Sequence, residues 1–150
     1  MNNHFTFDEY LEKNGSLTYT NVGVSMLPLL RQGKDLFTVC RKGPERCKAG
    51  DVVLYHRPPN QYVLHRVVEV RPEDYVILGD NCVAKEYGIK DEDIMGVMTG
   101  YVRGGREHSV QDWPYRLYSF VWMHTIGLRV CLKRILLRLA KIVKKVLHVR

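Results

Sequence analysis

What the chain does not contain narrows it first. No acidic residue follows Asp112: all 16 Asp and Glu lie between Asp8 and Asp112. Residues 1–112 carry 14 Lys and Arg against those 16 acids, whereas residues 113–150 carry nine Lys and Arg and no acid. The formal charge of +7 therefore belongs to the last segment and says little about the ligand of the rest. No uninterrupted apolar run reaches the roughly 18 residues that argue for a membrane span. The nearest, Leu117–Leu132, is interrupted by His124 and Arg129. The N-terminal stretch is polar and has no basic start followed by an apolar core, so it reads as no signal peptide. The four cysteines, Cys40, Cys47, Cys82 and Cys131, are in no C-x-x-C pair. Zinc-site spacing is absent, and free thiols in a reducing compartment are expected. A Cys40–Cys47 disulfide would require export.

What remains is a chain of 150 residues, 45% apolar and 26% charged, sufficient for one folded domain. Thr6 and Glu9 fit a capping box, Phe5 and Tyr10 a hydrophobic staple, and Gly15 a left-handed cap. Together they predict a short N-terminal helix within residues 1–16. From Leu17 onward, short apolar and β-branched runs alternate with turn signals. Strands are expected at Leu36–Cys40, Asp51–Tyr55, Tyr62–Val70, Tyr75–Leu78 and Ile94–Val102. The breaks fall at Gly33–Asp35, Gly43-Pro44, Pro58–Asn60, Pro72–Asp74 and Gly79–Asn81. With no long helix between them, the strands predict a mainly β, mostly antiparallel domain over 17–112.

Residues 113–150 form a third region. Leu132, Ile135, Leu136, Leu139, Val143, Val146 and Leu147 recur at helical spacing, with Lys133, Arg134, Arg138, Lys141, Lys144 and Lys145 opposite. This basic amphipathic helix has three readings. It packs on the domain or a partner, it lies on an anionic membrane surface, or, least favoured for want of interleaved aromatics, it binds nucleic acid.

The chemistry is carried by separated pieces. In Gly23–Pro28 (G-V-S-M-L-P), Ser25 stands where a glycine permits close backbone approach and Pro28 stiffens the chain beyond it. A serine nucleophile needs such a seat, with backbone N–H groups near for the oxyanion. His65 interrupts an apolar strand, and a neutral imidazole can accept a proton near pH 7 without special tuning. Gly79-Asp80-Asn81 is a turn suited to presenting a carboxylate at a sheet end.

The ordered set Gly23–Pro28, Gly50–Tyr55 (G-D-V-V-L-Y), His65–Val67 (H-R-V), Gly79–Asn81 (G-D-N) and Gly96 resembles the signal peptidase and SOS-repressor peptidase superfamily. The resemblance covers about residues 20–103. It is nearest to the ER-type signal peptidases, because a histidine stands where the bacterial enzymes use lysine. It implies a β-rich signal-peptidase-like fold and peptide-bond hydrolysis without metal or other cofactor. It implies Ser25 as nucleophile, His65 as base, and a site at Gly23 and Met26 for the oxyanion and substrate. Gly23 stands where signal peptidases commonly carry a hydroxyl that assists the oxyanion. The carboxylate that orients His65 is open between Asp80 and Glu86, and Arg66 reads as a structural ion-pair residue. The expected partner is an extended peptide or protein substrate, such as a precursor or leader. The alternative is a weakly active or inactive, peptide-binding or self-cleaving regulatory module of the same fold. Having none of the family's N-terminal anchor, the chain is expected in the cytoplasm, with 113–150 as its route to peripheral membrane contact.

Overall fold

The computed structural model describes residues 6–59 and 61–148, without the side chains of Val146 and His148. Phe5 of the expected staple, Asn60 of the expected Pro58–Asn60 turn and the Val146 side chain of the apolar stripe lie outside the described residues.

The molecule is mainly β, as its sequence predicts. Among the described residues, eight antiparallel strands form one sheet: β1 (Ser16–Thr20), β2 (Leu36–Arg41), β3 (Val52–Arg57), β4 (Gln61–Val70), β5 (Tyr75–Leu78), β6 (Glu86–Ile89), β7 (Ile94–Arg103) and β8 (Arg106–Ser109). The order is β1-β2-β7-β3-β4-β5-β6, with β8 paired to the far half of β7. Three of these strands go beyond those expected from sequence: β1, β6 and β8. Helix α1 (Phe7–Asn14) carries the expected capping box from Thr6 and Glu9, and ends at Gly15 in the left-handed conformation at φ 75°.

Both faces of the central strands are covered. Val52 and Leu54 pack with Leu11, Met26, Leu30, Phe37, Met98 and Tyr115 in one cluster. Val53 and Tyr55 pack with Val67, Tyr75, Ile77 and Ile94 in another. The first four positions of β3, Val52–Tyr55, therefore need apolar residues, which is why they read as a continuous run rather than an alternation. Leu11 of α1 and Tyr115 of α2 (Trp113–His124) share the first cluster with the strands, so both helices belong to one core with the sheet.

The C-terminal region is two helices, α2 and α3 (Ile126–His148), separated at Thr125. The first docks on the sheet. From Ile135 onward every described α3 side chain is exposed, so this stretch does not pack on the domain. No helix among the described residues is long and apolar enough to cross a membrane. All four cysteines are free, with Cys47 buried and Cys131 exposed.

Candidate active site

Ser25 sits in the turn-rich segment between β1 and β2, and that segment is tied down at several points. Asp35, fully buried, accepts from the Arg31 amide at 2.9 Å and from the guanidinium groups of Arg31 and Arg103. Burial pushes the Asp35 carboxyl up, but the hydrogen bonds from Arg31 and Arg103 and the charge of Arg103 outweigh this and bring it down to about 2. Arg103 also donates to the carbonyls of Pro28 and Leu29 at 3.1 and 2.6 Å. The Met26 side chain is 1% exposed and lies in the core. It anchors the turn from the core and is not among the walls of the cleft that Ser25 lines. The glycine at position 23 has a backbone reason: φ is 90°, where an L side chain is strained. Gly23 therefore supplies no side-chain oxyanion donor, and its carbonyl accepts from Asn21 Nδ2 at 3.2 Å. Among the described residues, no acceptor engages the Ser25 amide, which leaves that N–H available for an oxyanion.

The loop after β5 clamps this turn. Asn81 donates its backbone N–H to the Ser25 carbonyl at 2.7 Å and its side-chain amide to the Val24 carbonyl at 3.0 Å. Gly79 is the point of closest approach. A Cβ there would stand 2.7 Å from Cys82 Sγ, 2.8 Å from His65 Nε2 and 2.9 Å from the Ser25 carbonyl oxygen. Those three groups thus converge on one Cα, and any side chain would force them apart.

His65 and Arg66 are adjacent on β4, and successive side chains leave a strand on opposite faces. His65 points its Nδ1 at Glu86 Oε1, 3.0 Å away, with Tyr55 Oη 3.4 Å from the same nitrogen. A carboxylate only accepts, so this contact fixes the proton on Nδ1 and leaves the Nε2 lone pair beside Gly79 and the Ser25 turn. Glu86 is held in turn by Arg57 Nη1 at 3.2 Å, and Arg57 is braced by Gln61. Burial depresses the imidazole below its ordinary 6.5. The charge and hydrogen bond of Glu86 and the charge of Asp80 oppose this, and Arg57 adds to the depression. The resting imidazole is accordingly neutral at pH 7, as a general base must be.

Arg66 turns the other way. It forms a two-pronged pair with Asp80, Nε to Oδ1 and Nη2 to Oδ2, both at 2.8 Å. Its remaining nitrogen reaches the Gly50 carbonyl at 2.8 Å, Ser119 at 2.9 Å and Tyr115 at 3.4 Å. Tyr118 donates to Asp80 Oδ2 at 2.8 Å. Both partners of the Arg66–Asp80 pair are 1% exposed. Of the two carboxylates that the sequence leaves open, Glu86 meets the imidazole. Asp80 is committed to Arg66 and Tyr118, and only its charge is felt at His65.

Ser25, His65 and Cys82 open into a cleft of about 550 Å³. Its walls are largely aromatic and aliphatic: Phe7, Tyr19, Phe37, Leu54, Tyr62 and Leu64. Phe7 of α1 packs its ring 4.9 Å from Tyr19 and 4.9 Å from Tyr62, so the N-terminal helix walls the cleft as well as capping the sheet. Sequence reading assigned no role to Arg57, Tyr55, Asn81 or Cys82. Only Tyr55 and Asn81 lie inside the motif blocks. No three or more His, Cys, Asp or Glu side chains among the described residues are grouped to hold a metal ion. Compared with family models, with curated proteins and with solved structures, the chain matches none.

Proposed function

We propose that the protein is a serine endopeptidase of the signal-peptidase type, with a Ser25–His65–Glu86 catalytic set. The observation that carries the reading is the Nδ1–Glu86 contact of 3.0 Å on a buried histidine whose other nitrogen borders the Ser25 turn. The ordered motifs from Gly23 to Gly96 support it independently. In the reaction, Ser25 Oγ attacks the scissile carbonyl and His65 Nε2 takes the hydroxyl proton. The C–N bond then breaks, and the same nitrogen hands its proton to the leaving amine. Water, deprotonated by His65, cleaves the resulting ester and restores Ser25. Glu86 holds the tautomer and stabilises the imidazolium while it exists. The Ser25 amide is the oxyanion donor.

An extended peptide suits the cleft. β1 is an edge strand, paired only with β2, and its Tyr19 and Thr20 line one side. On the other side, β4 pairs with β5 only from Arg66 onward, which leaves Tyr62–Leu64 with an open edge. A substrate strand between these edges finds backbone partners on both, and the aromatic walls give pockets for its alternate side chains. The chemistry draws on no metal and no other cofactor, and precursor or leader peptides are the proposed substrates.

Gly23 favours one second reading, a peptide-binding module of the same fold with weak or no turnover, because the side-chain oxyanion donor is missing. A fluorophosphonate probe separates the two. Labelling that is lost in both Ser25→Ala and His65→Ala supports the enzyme. Unlabelled, folded protein that still binds peptides supports the binder.

A further inference from the structure

We propose that α3 is a docking surface for an anionic lipid bilayer, lying in the plane of the headgroups with its apolar face in the acyl boundary. The inference is independent of the peptidase reading. At 100° per residue, Leu128, Leu132, Leu136 and Leu139 fall within one arc with Ile142 and Val143, about 120° wide. These residues are 46–68% exposed in company with Ile135 and Leu147, and nothing among the described residues covers them. Lys133, Arg134, Arg138, Lys141, Lys144 and Lys145 occupy the opposite arc, with only Leu137 among the exposed leucines on their side.

The attachment of α3 settles which face is free. Arg129 donates to the Asp80 carbonyl at 3.0 Å, Lys133 to the Asn81 carbonyl and side chain, and Arg134 to the Val83 carbonyl at 3.1 Å. Arg129 also stacks 3.9 Å over the Trp122 ring. The first turns thus direct cations toward the domain and leucines away from it. The adjoining helix repeats the pattern. Its inner side holds Tyr115 and Tyr118 against Arg66 and Asp80, while Trp113, Leu117 and Phe120 are 74, 53 and 61% exposed.

Charge decides the occupant. From Trp113 onward the chain is cationic without a single acid. A second copy would bring the same charge to the same face and be repelled. Nucleic acid would take the cations and leave the leucines in water. A bilayer containing anionic lipid accepts both, each basic residue near its surface adding to the attraction. The same turns that carry the leucines grip the Asp80–Val83 loop, and that loop holds the Ser25 carbonyl through Asn81. Docking therefore sets the height and tilt of the cleft above the lipid.

The test is sedimentation of the full chain with sucrose-loaded vesicles of phosphatidylcholine alone or mixed with phosphatidylglycerol. The expected result is partition onto the mixed vesicles at least about tenfold stronger than onto phosphatidylcholine, released by salt. The double variants Leu132→Glu with Leu136→Glu, and Lys141→Glu with Lys145→Glu, should each weaken it about tenfold or more while far-UV circular dichroism is unchanged. All four positions are exposed, so folding should be unaffected. Ser25→Ala should bind vesicles as the parent does. Equal binding to both vesicle types, full retention in the leucine variant, or RNA displacing the protein from vesicles at equal charge would overturn the proposal.

Discussion

Two carboxylates bracket the segment from Asp80 to Glu86, and they live in opposite surroundings. Asp80 is sealed between the sheet and α2, matched in two prongs by an equally sealed Arg66 and capped by Tyr118. Glu86 stands at the rim of a cleft with its side chain 23% exposed, shared between a histidine and a half-exposed Arg57. The first arrangement satisfies every partner and leaves nothing for a reacting group. The second leaves an imidazole nitrogen free beside a serine turn. A charge whose partner is permanent stabilises a fold, and a charge whose partner changes protonation during turnover assists chemistry. The comparison predicts that stability and activity separate cleanly between the two sites.

The largest expected effect lies in the cleft. Ser25→Ala and His65→Ala should each lower turnover of a cleavable peptide by about 10⁴-fold or more, with thermal midpoints near the parent's. Turnover comparable to the parent in either variant would end the assignment. Next comes Asp80→Ala. It strands the Arg66 guanidinium in a dry site, and loss of one partner of a buried pair costs about 3–5 kcal/mol. The midpoint of urea unfolding should fall accordingly, while activity per folded molecule at low temperature stays within a few-fold. The converse is expected of Glu86→Gln. The amide no longer dictates the imidazole tautomer, so kcat should drop about 10²- to 10³-fold with little change in stability. Glu86→Asp should recover part of that loss. If Asp80→Ala abolished turnover in a folded protein and Glu86→Gln did not, the two roles would be reversed.

Gly79 joins the two sites, and its substitution should touch both. A methyl at 2.7–2.9 Å from Cys82, His65 and the Ser25 carbonyl cannot be accommodated without moving the serine turn. Overpacking of this kind costs typically about 1–3 kcal/mol. Gly79→Ala should also show a fall in kcat larger than that stability loss explains, because the displaced groups include the proposed base, His65 Nε2, and the carbonyl of the proposed nucleophile's turn. A variant with parent kcat would show that the convergence at Gly79 is incidental.

How far the sequence reveals this arrangement varies with the physics behind each part. The capping box at Thr6 and Glu9 was legible because it is built from neighbours in the chain. Strands β3, β4 and β5 were legible because burial of four successive residues on both faces demands an apolar run, and β2 and β7 because their buried residues recur at every second position. Strand β8 has no apolar run. It is a polar ribbon, turned by Gly104 and Gly105 at φ 58° and 76°, and its signal lay in that Gly-Gly pair rather than in hydrophobicity. Strand β6 is four residues with a glycine at its third position, too short and too interrupted to stand out. Ser25 and His65 could be singled out by their order among the motifs. The choice between Asp80 and Glu86 could not, because it depends on which way β4 directs its consecutive His65 and Arg66 side chains. The Arg57 brace on Glu86 had no signal in spacing at all.

The finest discrimination between the two carboxylates is electrostatic. In the proposed mechanism His65 must be neutral to accept the serine proton, so kcat/KM should rise with pH along an acid limb set by the His65 ionisation in the free protein. Burial lowers that ionisation, so the limb should lie below 6.5. The charge and hydrogen bond of Glu86 both oppose the depression. Removing them in Glu86→Gln should move the limb further toward acid even as the plateau falls. Asp80 also opposes it, but by charge alone and least among the contributions, so Asp80→Asn should move the limb in the same direction by less. Stability gives an independent reading with the same sign. A histidine whose folded pKa is depressed binds fewer protons folded than unfolded near pH 6. Its contribution is present above 6.5 and is lost as pH falls from 6.5 through the folded value. His65→Gln should flatten that part of the stability profile. An acid limb above 6.5, or one that Asp80→Asn displaces more than Glu86→Gln does, would mean that the imidazole answers to the sealed carboxylate rather than to the one at the rim.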